Sequence, residues 1–152
     1  MMGLRTLLEF TAQIRLGAPE IIGMTALGLR RVVPIIGGTF EGKALRGTVV
    51  QGGADWQYQR ADGATILSAR YLLKTDDEVL IQLDNSGIRH GSSAVLQRLA
   101  AGETVDPNDY YFRTRPEFSA PVGRYDWLNT HVFVGSAARY ANDVVLEVYR
   151  IL

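Results

Sequence analysis

Short apolar segments separated by glycine-containing turns constrain the fold of this chain more than any other feature of its sequence. The segments are about 6–12 residues long and rich in Val, Ile, Leu, Thr, Tyr and Phe, which is typical of β-strands. Glycine marks the turns between them, at Gly37–Gly38, Gly52–Gly53, Asp62–Gly63, Ser86–Gly87 and Gly91. Many short strands at even spacing, with turn signals between them, predict an all-β sandwich or barrel.

The boundaries of the segments can be read from the same pattern. A helix is predicted over 92–102, where apolar residues recur at helical spacing between a serine cap and Gly102. Strands are predicted over 4–15, 30–36, 43–50, 54–60, 64–74, 78–85, 109–114, 130–135 and 143–151. The chain should therefore contain about eight or nine strands and one short helix.

Tight turns make neighbouring strands antiparallel, and a sheet of this many strands must protect its two edges. Closure into a barrel removes both edges. We therefore predict an all-β fold in a single domain over residues 1–152, a closed antiparallel β-barrel of about eight strands with one short helix. The interior of an eight-stranded barrel holds either its own side chains or one small ligand. These two outcomes separate a structural from a functional interpretation of the chain.

Composition narrows the function classes. The 152 residues suit one domain, and the 47% of hydrophobic residues exclude a disordered chain. Basic and acidic residues balance at 16 each, so nothing favours nucleic acid or an anionic membrane as a partner, and zero net charge is compatible with a homo-oligomer. Since the chain has no cysteine and 2 histidines, disulfides, thiol chemistry and a three-histidine zinc site are excluded. We expect neither a metal nor a cofactor.

The N-terminal segment is not predicted to be a signal peptide, because Glu9, Gln13 and Arg15 interrupt its apolar residues. No stretch approaches the roughly 20 consecutive apolar residues that a membrane-spanning helix needs. A soluble, cytoplasmic protein is therefore expected.

Strand alternation predicts which side chains face the interior of the barrel. Tyr71 belongs to the more apolar face of its strand, and Asn85 shares a face with the apolar residues of the next strand. In the strand before them, Trp56 and Tyr58 are the inward candidates. Around Arg113, periodicity does not decide which alternate residues face inward.

The densest polar block is the sequence NSGIRHG at 85–91, which is predicted to form a loop at the barrel mouth. In that loop Arg89 would bind a carboxylate or an enolate, and His90 would move a proton. The alternative is a structural corner in which Arg89 caps backbone carbonyls and His90 is solvated.

Charged residues next to aromatic ones are the next candidates. Arg113 would hold an oxyanion in a dry lumen while a tyrosine donates a hydrogen bond, or else it is a strand residue paired with an acid. Asp55 would be a general base with a raised pKa beside Trp56. The alternative for Asp55 is a turn residue that precedes a core tryptophan.

The sequence YDWLN at 125–129 precedes a predicted strand. Trp127 would form an aromatic lid, and Asn129 would orient a ligand carbonyl. The alternative is a plug that closes one end of the barrel, and the sequence leaves both interpretations open.

Several sequence blocks occur together in a characteristic order. They are GGTFEG (37–42), GGADWQ (52–57), TDD (75–77), GIRHG (87–91), YYFRTRPEF (110–118), YDWLN (125–129) and FVG (133–135). Together they resemble the family catalogued as domain of unknown function 3237, over nearly the whole chain. The resemblance implies an antiparallel barrel similar in shape to lipocalins and to allene oxide cyclase-like barrels, and it implies no established reaction. Glu78 stands where many relatives are expected to have a turn glycine.

Two functions from different classes fit these features. The first is a cofactor-free cyclase, isomerase or hydratase that acts on a small, partly apolar carbonyl or polyene compound in the lumen. Arg113 and Tyr71 would then donate hydrogen bonds to an oxyanion, and the proton would be transferred by Asp55 or His90. The ligand-binding residues would be Trp56, Asn85, Arg89, Tyr111, Trp127 and Asn129. The second function is a lipocalin-like carrier or sensor of an apolar metabolite, and a filled barrel that only builds an oligomer is a third interpretation.

Overall fold

Strands account for most of the chain in the computed structural model, which describes residues 2–152. The strands are β1 Thr6–Leu16, β2 Glu20–Thr25, β3 Gly28–Gly42, β4 Arg46–Val49, β5 Gly53–Gln59, β6 Thr65–Thr75, β7 Leu80–Gly91, β8 Tyr110–Ser119, β9 Phe133–Arg139 and β10 Asp143–Ile151. One α-helix, α1, spans Ser93–Ala100, and two short 3-10 helices span Pro107–Asp109 and Asp126–Thr130.

The sheet closes into a barrel because β1 pairs with β10 on one side and with β3 on the other. Ala12 marks the closure, since it lies opposite Leu146 on β10 and opposite Phe40 on β3. The wall is a closed 8-stranded antiparallel barrel with 2 extra strands and one helix. Both β4 and β5 bridge β3 and β6, and β2 flanks the start of β3. The predicted all-β barrel is confirmed.

One end of the lumen is filled by aromatic rings. Phe10 packs edge-to-face against Phe40 and Phe118 at centroid distances of 5.6 and 6.1 Å, and Phe118 packs against Phe133 at 4.9 Å. Each buried aromatic side chain contributes about 1.5–3 kcal/mol of transfer free energy, and edge-to-face pairs add to it. This aromatic layer closes one end of the barrel.

The helix α1 follows β7, as the sequence predicts. Ser92 caps its N-terminus by accepting a hydrogen bond from the Val95 backbone N–H, and Leu99 is buried in the core. The helix ends at Ala100, and Gly102 follows its C-cap Ala101 with a φ of 79°, which suits glycine. In the described part of the chain, no helix has the length and hydrophobicity to span a membrane.

Two features of the N-terminal strands differ from the prediction. The pair Gly37–Gly38 does not end a strand, because β3 continues to Gly42. A Cβ on Gly38 would lie 2.0 Å from the carbonyl oxygen of Gln13. Glycine at this position therefore allows β1 to approach β3 closely, and it does not mark a turn. The strand β2 was not predicted, since no strand was assigned between residues 15 and 30.

Candidate functional site

A cavity of about 50 Å³ lies in the lumen, away from the aromatic layer. We call it the chamber. Most of its wall is apolar, and the polar members are Asp55, Tyr71, Asn85 and Thr114. Its lining residues are Ile14, Leu16, Ile35, Asp55, Leu67, Ala69, Tyr71, Asn85, Phe112, Thr114, Ala137, Val144 and Leu146. One water-sized group needs about 10–15 Å³ of such space, so the chamber accepts a small chemical group and not a large ligand.

Three polar atoms of the chamber wall have no hydrogen-bond partner among residues 2–152. They are the hydroxyl of Tyr71, Oδ1 of Asn85 and Oγ1 of Thr114, and all three are buried. An unsatisfied buried polar atom costs about 1–3 kcal/mol, so such atoms are rare in folded proteins. Their grouping on one small cavity is the arrangement expected of a ligand site.

Asp55 lies on β5 at the edge of the chamber. Its Oδ2 accepts a hydrogen bond from Nε2 of Gln57 at 2.7 Å, and its Oδ1 accepts one from the Ser68 backbone N–H at 3.1 Å. Burial raises the pKa of Asp55, although these two hydrogen bonds and the positive charges of Arg89 and Arg31 oppose the shift. A raised carboxyl pKa is the direction that a general base working near neutral pH needs.

Tyr71 lies on the neighbouring strand β6 and is only 3% exposed. Burial, and then the negative charge of Asp55, raise the pKa of the Tyr71 phenol above its usual value. The phenol therefore stays protonated at neutral pH. It can donate a hydrogen bond to an oxygen that gains negative charge inside the chamber.

A second cavity of about 70 Å³ adjoins the chamber, and we call it the mouth. The two share Leu16, Asp55, Leu67 and Val144 as lining residues. The mouth also carries a cationic group, which we call the arginine cluster: Arg31, Arg89 and Arg139. Polar and charged groups thus follow one another from the mouth into the apolar chamber.

The positive charges of the three arginines in the cluster repel one another. Burial and then the charges of Arg139 and Arg31 lower the pKa of Arg89 to about 9, so its guanidinium stays charged at pH 7. Burial and then the charge of Arg31 lower the pKa of Arg139. The guanidinium carbon of Arg89 lies 5.3 Å from the ring centroid of Phe112, which packs against it from the chamber side.

The block at 85–91 is not a loop, and that prediction is wrong. Strand β7 pairs with β6 as far as Arg89, and it continues to Gly91 because it pairs with β8 up to that residue. Alternation along β7 then places Asn85 and Arg89 inside and His90 outside, where its side chain is exposed. Of the two predicted proton-transfer groups, Asp55 therefore lies at the chamber and His90 does not.

Arg113 and Tyr111 also lie on the outer surface. On β8 the inward residues are Phe112 and Thr114, because these pack into the lumen while their neighbours are exposed. Arg113 donates a hydrogen bond to the Phe112 carbonyl at 3.0 Å, and its guanidinium lies 5.5 Å from the Tyr111 ring centroid. The structure corrects the prediction that Arg113 faces a dry lumen.

Trp56 was expected to face inward and does not. Its side chain is 45% exposed, and the guanidinium of Arg30 lies 5.3 Å from its ring centroid. The inward residues of β5 are the polar Asp55 and Gln57, which hydrogen-bond to each other. Hydrophobicity alone therefore predicts the wrong face of this strand.

Trp127 and Asn129 lie at the closed end of the barrel. Asn129 accepts a hydrogen bond from the Ala120 backbone N–H at 2.8 Å and donates one to the Ala120 carbonyl at 2.9 Å. Trp127 packs near Phe133, with ring centroids 6.3 Å apart. These contacts agree with the plug interpretation, and neither residue lines the chamber or the mouth.

Four residues of the site were not predicted from the sequence: Arg31, Gln57, Thr114 and Arg139. Alternation in β8, once fixed by burial of Phe112, would have identified Thr114. Arg139 belongs to β9, which extends beyond the predicted end at 135. Sequence alone does not distinguish an arginine at the end of a strand that faces a cavity, such as Arg139, from one on the surface.

Fold and site together define a class of protein, the closed antiparallel β-barrel with a cavity inside one end of its lumen. Within this class the chain belongs to the family described as "Protein of unknown function (DUF3237)", which it matches over residues 5–151. The predicted family is therefore confirmed. A UPF0311 protein from Rhodopseudomonas palustris (strain TIE-1) is 42% identical over 149 residues, which cover 98% of this chain and 97% of the relative.

Solved structures share the architecture. A conserved protein of unknown function from Rhodopseudomonas palustris is 41% identical with a TM-score of 0.95, covering 100% of this chain and 99% of the other. An enzyme from Penicillium herquei has a TM-score of 0.75 and 21% identity, covering 100% and 97% of the two chains. At that identity the likeness shows the shared fold alone.

Proposed function

We propose that the barrel binds a small, partly apolar carbonyl compound in its chamber and converts it without a cofactor, as an isomerase, cyclase or hydratase. The observation that carries this proposal is the set of three buried polar atoms without partners, on Tyr71, Asn85 and Thr114, in an otherwise apolar wall. Hydrogen bonds made in such a water-poor site act strongly on developing charge.

The chemistry needs a base and an oxyanion donor. Asp55 accepts a proton from the carbon next to the substrate carbonyl, and the electron pair of that C–H bond moves to form an enolate. The Tyr71 phenol donates a hydrogen bond to the enolate oxygen. In a substrate with a double bond between the β- and γ-carbons the enolate is conjugated, and return of the proton from protonated Asp55 to the γ-carbon, with the double bond moving to the α,β-position, completes an isomerisation in which nothing is oxidised or reduced.

The remaining polar atoms orient the substrate. The Thr114 hydroxyl can donate or accept a hydrogen bond, and Oδ1 of Asn85 accepts one, so a substrate hydroxyl finds a partner on either side chain. Each of these hydrogen bonds would give a partner to a buried atom that has none within the protein. Binding a matching substrate therefore offsets the desolvation cost of burying these atoms.

A carrier without chemistry is the second candidate, and the largely apolar wall of the chamber favours it. A carrier uses this wall for affinity and returns its ligand unchanged. Its binding does not depend on the protonation state of Asp55, whereas the proposed reaction does.

The test is exchange of hydrogen for deuterium next to the carbonyl of 2-pentanone and cyclohexanone, followed by proton NMR in D₂O. We expect the wild-type protein to accelerate exchange above buffer. Asp55→Asn should lower the protein-catalysed rate at least about 100-fold, because general-base catalysis is worth about 10²–10⁴-fold. Binding of both ketones without any acceleration would contradict the enzyme and leave the carrier.

The matched control is Asp84→Asn. Asp84 lies on the outside of β7, where its side chain pairs with Arg70. This substitution makes the same chemical change outside the lumen, so the exchange rate should stay within about twofold of wild type.

A further inference from the structure

The side chains that line the mouth carry more positive than negative charge. Three arginines line it, and among its described lining residues Asp55 is the acid they face. Nε of Arg31 donates to Oε1 of Gln57 at 2.7 Å. Within residues 2–152, the guanidinium groups of Arg89 and Arg139 have neither a hydrogen bond nor an ion pair with another residue; Arg89 lies over the Phe112 ring, and Arg139 donates only its backbone N–H, to the Tyr110 hydroxyl.

Keeping these cations together destabilises the folded protein. Like charges repel, and a half-buried or buried cation without a hydrogen-bonded anion loses solvation without full compensation. Arg89 is the clearest case, since it is 4% exposed and faces two further arginines. Unfavourable arrangements of this kind persist where a ligand completes them.

We propose that the arginine cluster binds the carboxylate of the substrate, so that the ligand is a small organic acid whose carbonyl-bearing end enters the chamber. This inference rests on the proposed function and names its substrate class. A carboxylate is planar, and the guanidinium fork matches it with two parallel hydrogen bonds. One negative charge on the ligand neutralises part of the excess positive charge at the mouth. A ligand with two negative charges would bring the second one close to the Asp55 carboxylate, which would repel it.

The size of the two cavities agrees with this assignment. The mouth offers about 70 Å³ and the chamber about 50 Å³, and they meet at Asp55. A carboxylate anchored at Arg89 and Arg139 leaves a chain of a few carbon atoms for the apolar wall. The anchored acid would present its carbonyl to Tyr71 in a fixed orientation, which is the contribution that binding makes to catalysis.

The test compares hexanoate with its neutral amide, hexanamide, by titration calorimetry. We expect hexanoate to bind at least tenfold more tightly to the wild-type protein. Arg89→Gln and, independently, Arg139→Gln should each abolish the preference. Arg115→Gln is the matched control, since Arg115 is exposed on the outside of β8, and it should keep the preference. Both cluster substitutions remove mutual repulsion, so the variants should fold, which circular dichroism checks.

Several results would overturn the inference. These are equal binding of acid and amide, no binding of hexanoate at millimolar concentration, or a preference that survives in both cluster variants. Tighter binding of inorganic phosphate than of hexanoate would make the mouth a phosphate site and overturn the carboxylate assignment.

A chamber-filling substitution, Ala69→Leu, separates this inference from the proposed function. If it leaves hexanoate affinity unchanged while Arg89→Gln removes it, the mouth binds the acid but the chamber is not the ligand site, so binding of a carboxylate by the arginine cluster stands and the proposed function in the chamber fails. If Ala69→Leu weakens binding of both probes equally and Arg89→Gln weakens neither, the chamber is the ligand site and the carboxylate inference fails alone.

Discussion

The amide nitrogen of the Gln57 side chain lies 2.7 Å from Oδ2 of Asp55, and the Gln57 carbonyl oxygen accepts a hydrogen bond from Nε of Arg31 at the same distance. One amide therefore joins the candidate base of the chamber to a cation of the mouth. All three side chains line the mouth. The hydrogen bond from the Gln57 amide holds the Asp55 carboxylate in one orientation and stabilises its charged form.

Removing this amide should move the pH dependence of activity. Gln57 lowers the pKa of Asp55, so Gln57→Leu should raise it, although Arg31, Arg89 and the Ser68 N–H still favour the charged carboxylate. The reaction needs ionised Asp55, so the acidic limb of the rate–pH profile should move to higher pH. Gln82→Leu removes a similar amide–carboxylate bond to Asp84 on the outer face and should leave the profile in place. An unmoved profile in Gln57→Leu would remove Asp55 as the base.

Stability should depend on pH through the same carboxyl group. Since burial raises the pKa of folded Asp55 above the ordinary 3.8, the folded state binds more protons than the unfolded state between these two values. Wild-type stability, measured relative to Asp55→Asn, should fall as pH rises through this window, by at most about 1.4 kcal/mol per pH unit, and be constant above it. Urea unfolding at several pH values measures the difference. A relative stability that rises with pH would show that the Asp55 pKa is lowered.

Tyr71→Phe should separate stability from function. The Tyr71 hydroxyl is buried without a partner, so its removal should increase the free energy of unfolding by about 1 kcal/mol while activity falls. Tyr125→Phe is the contrasting variant, because the Tyr125 hydroxyl donates to Oδ1 of Asp77 at 2.6 Å. It should cost about 1.5–3 kcal/mol, the range for hydrogen bonds to charged groups. Equal destabilisation of both variants would mean that the Tyr71 hydroxyl has a partner.

Glu78→Gly should stabilise the protein. Among residues 2–152, Glu78 is the non-glycine residue with a positive φ, 67°, and it lies in the turn between β6 and β7. A left-handed conformation costs a non-glycine residue about 1 kcal/mol, so the free energy of unfolding should rise by about that amount. Glu41→Gly, within β3, should lower it by about 0.5–1 kcal/mol. Thermal unfolding of both variants measures the two signs, and a destabilised Glu78→Gly would show that the turn is not strained.

The barrel was predictable because its walls follow simple alternation. Tyr71 and Asn85 were placed correctly, since each shares a face with apolar neighbours such as Leu73 and Leu83 that must be buried. The single helix was predicted from a different pattern, the helical spacing of apolar residues between a serine cap and Gly102. Alternation could not predict which strands continue past a glycine, as β7 does beyond Gly87.

The site was harder to predict because its polar residues break the rule that apolar side chains face inward. On β5 the structure buries Asp55 and Gln57, which satisfy each other, and exposes the larger Trp56. The arginine cluster comes from three strands that meet only in the closed barrel, β3, β7 and β9. No local pattern in the sequence signals that Arg31 and Arg139 come together, so their association depends on the tertiary fold.

The most direct measurement of the central claim is the set of intermolecular nuclear Overhauser effects between hexanoate and alanine methyl groups labelled with ¹³C. Ala69 and Ala137 line the chamber, whereas Ala138 follows Ala137 on the opposite face of β9. We predict contacts from the ligand chain to the Ala69 and Ala137 methyls and none to Ala138. Contacts confined to Ala138 and other outer methyls, with none in the chamber, would contradict ligand binding inside the barrel.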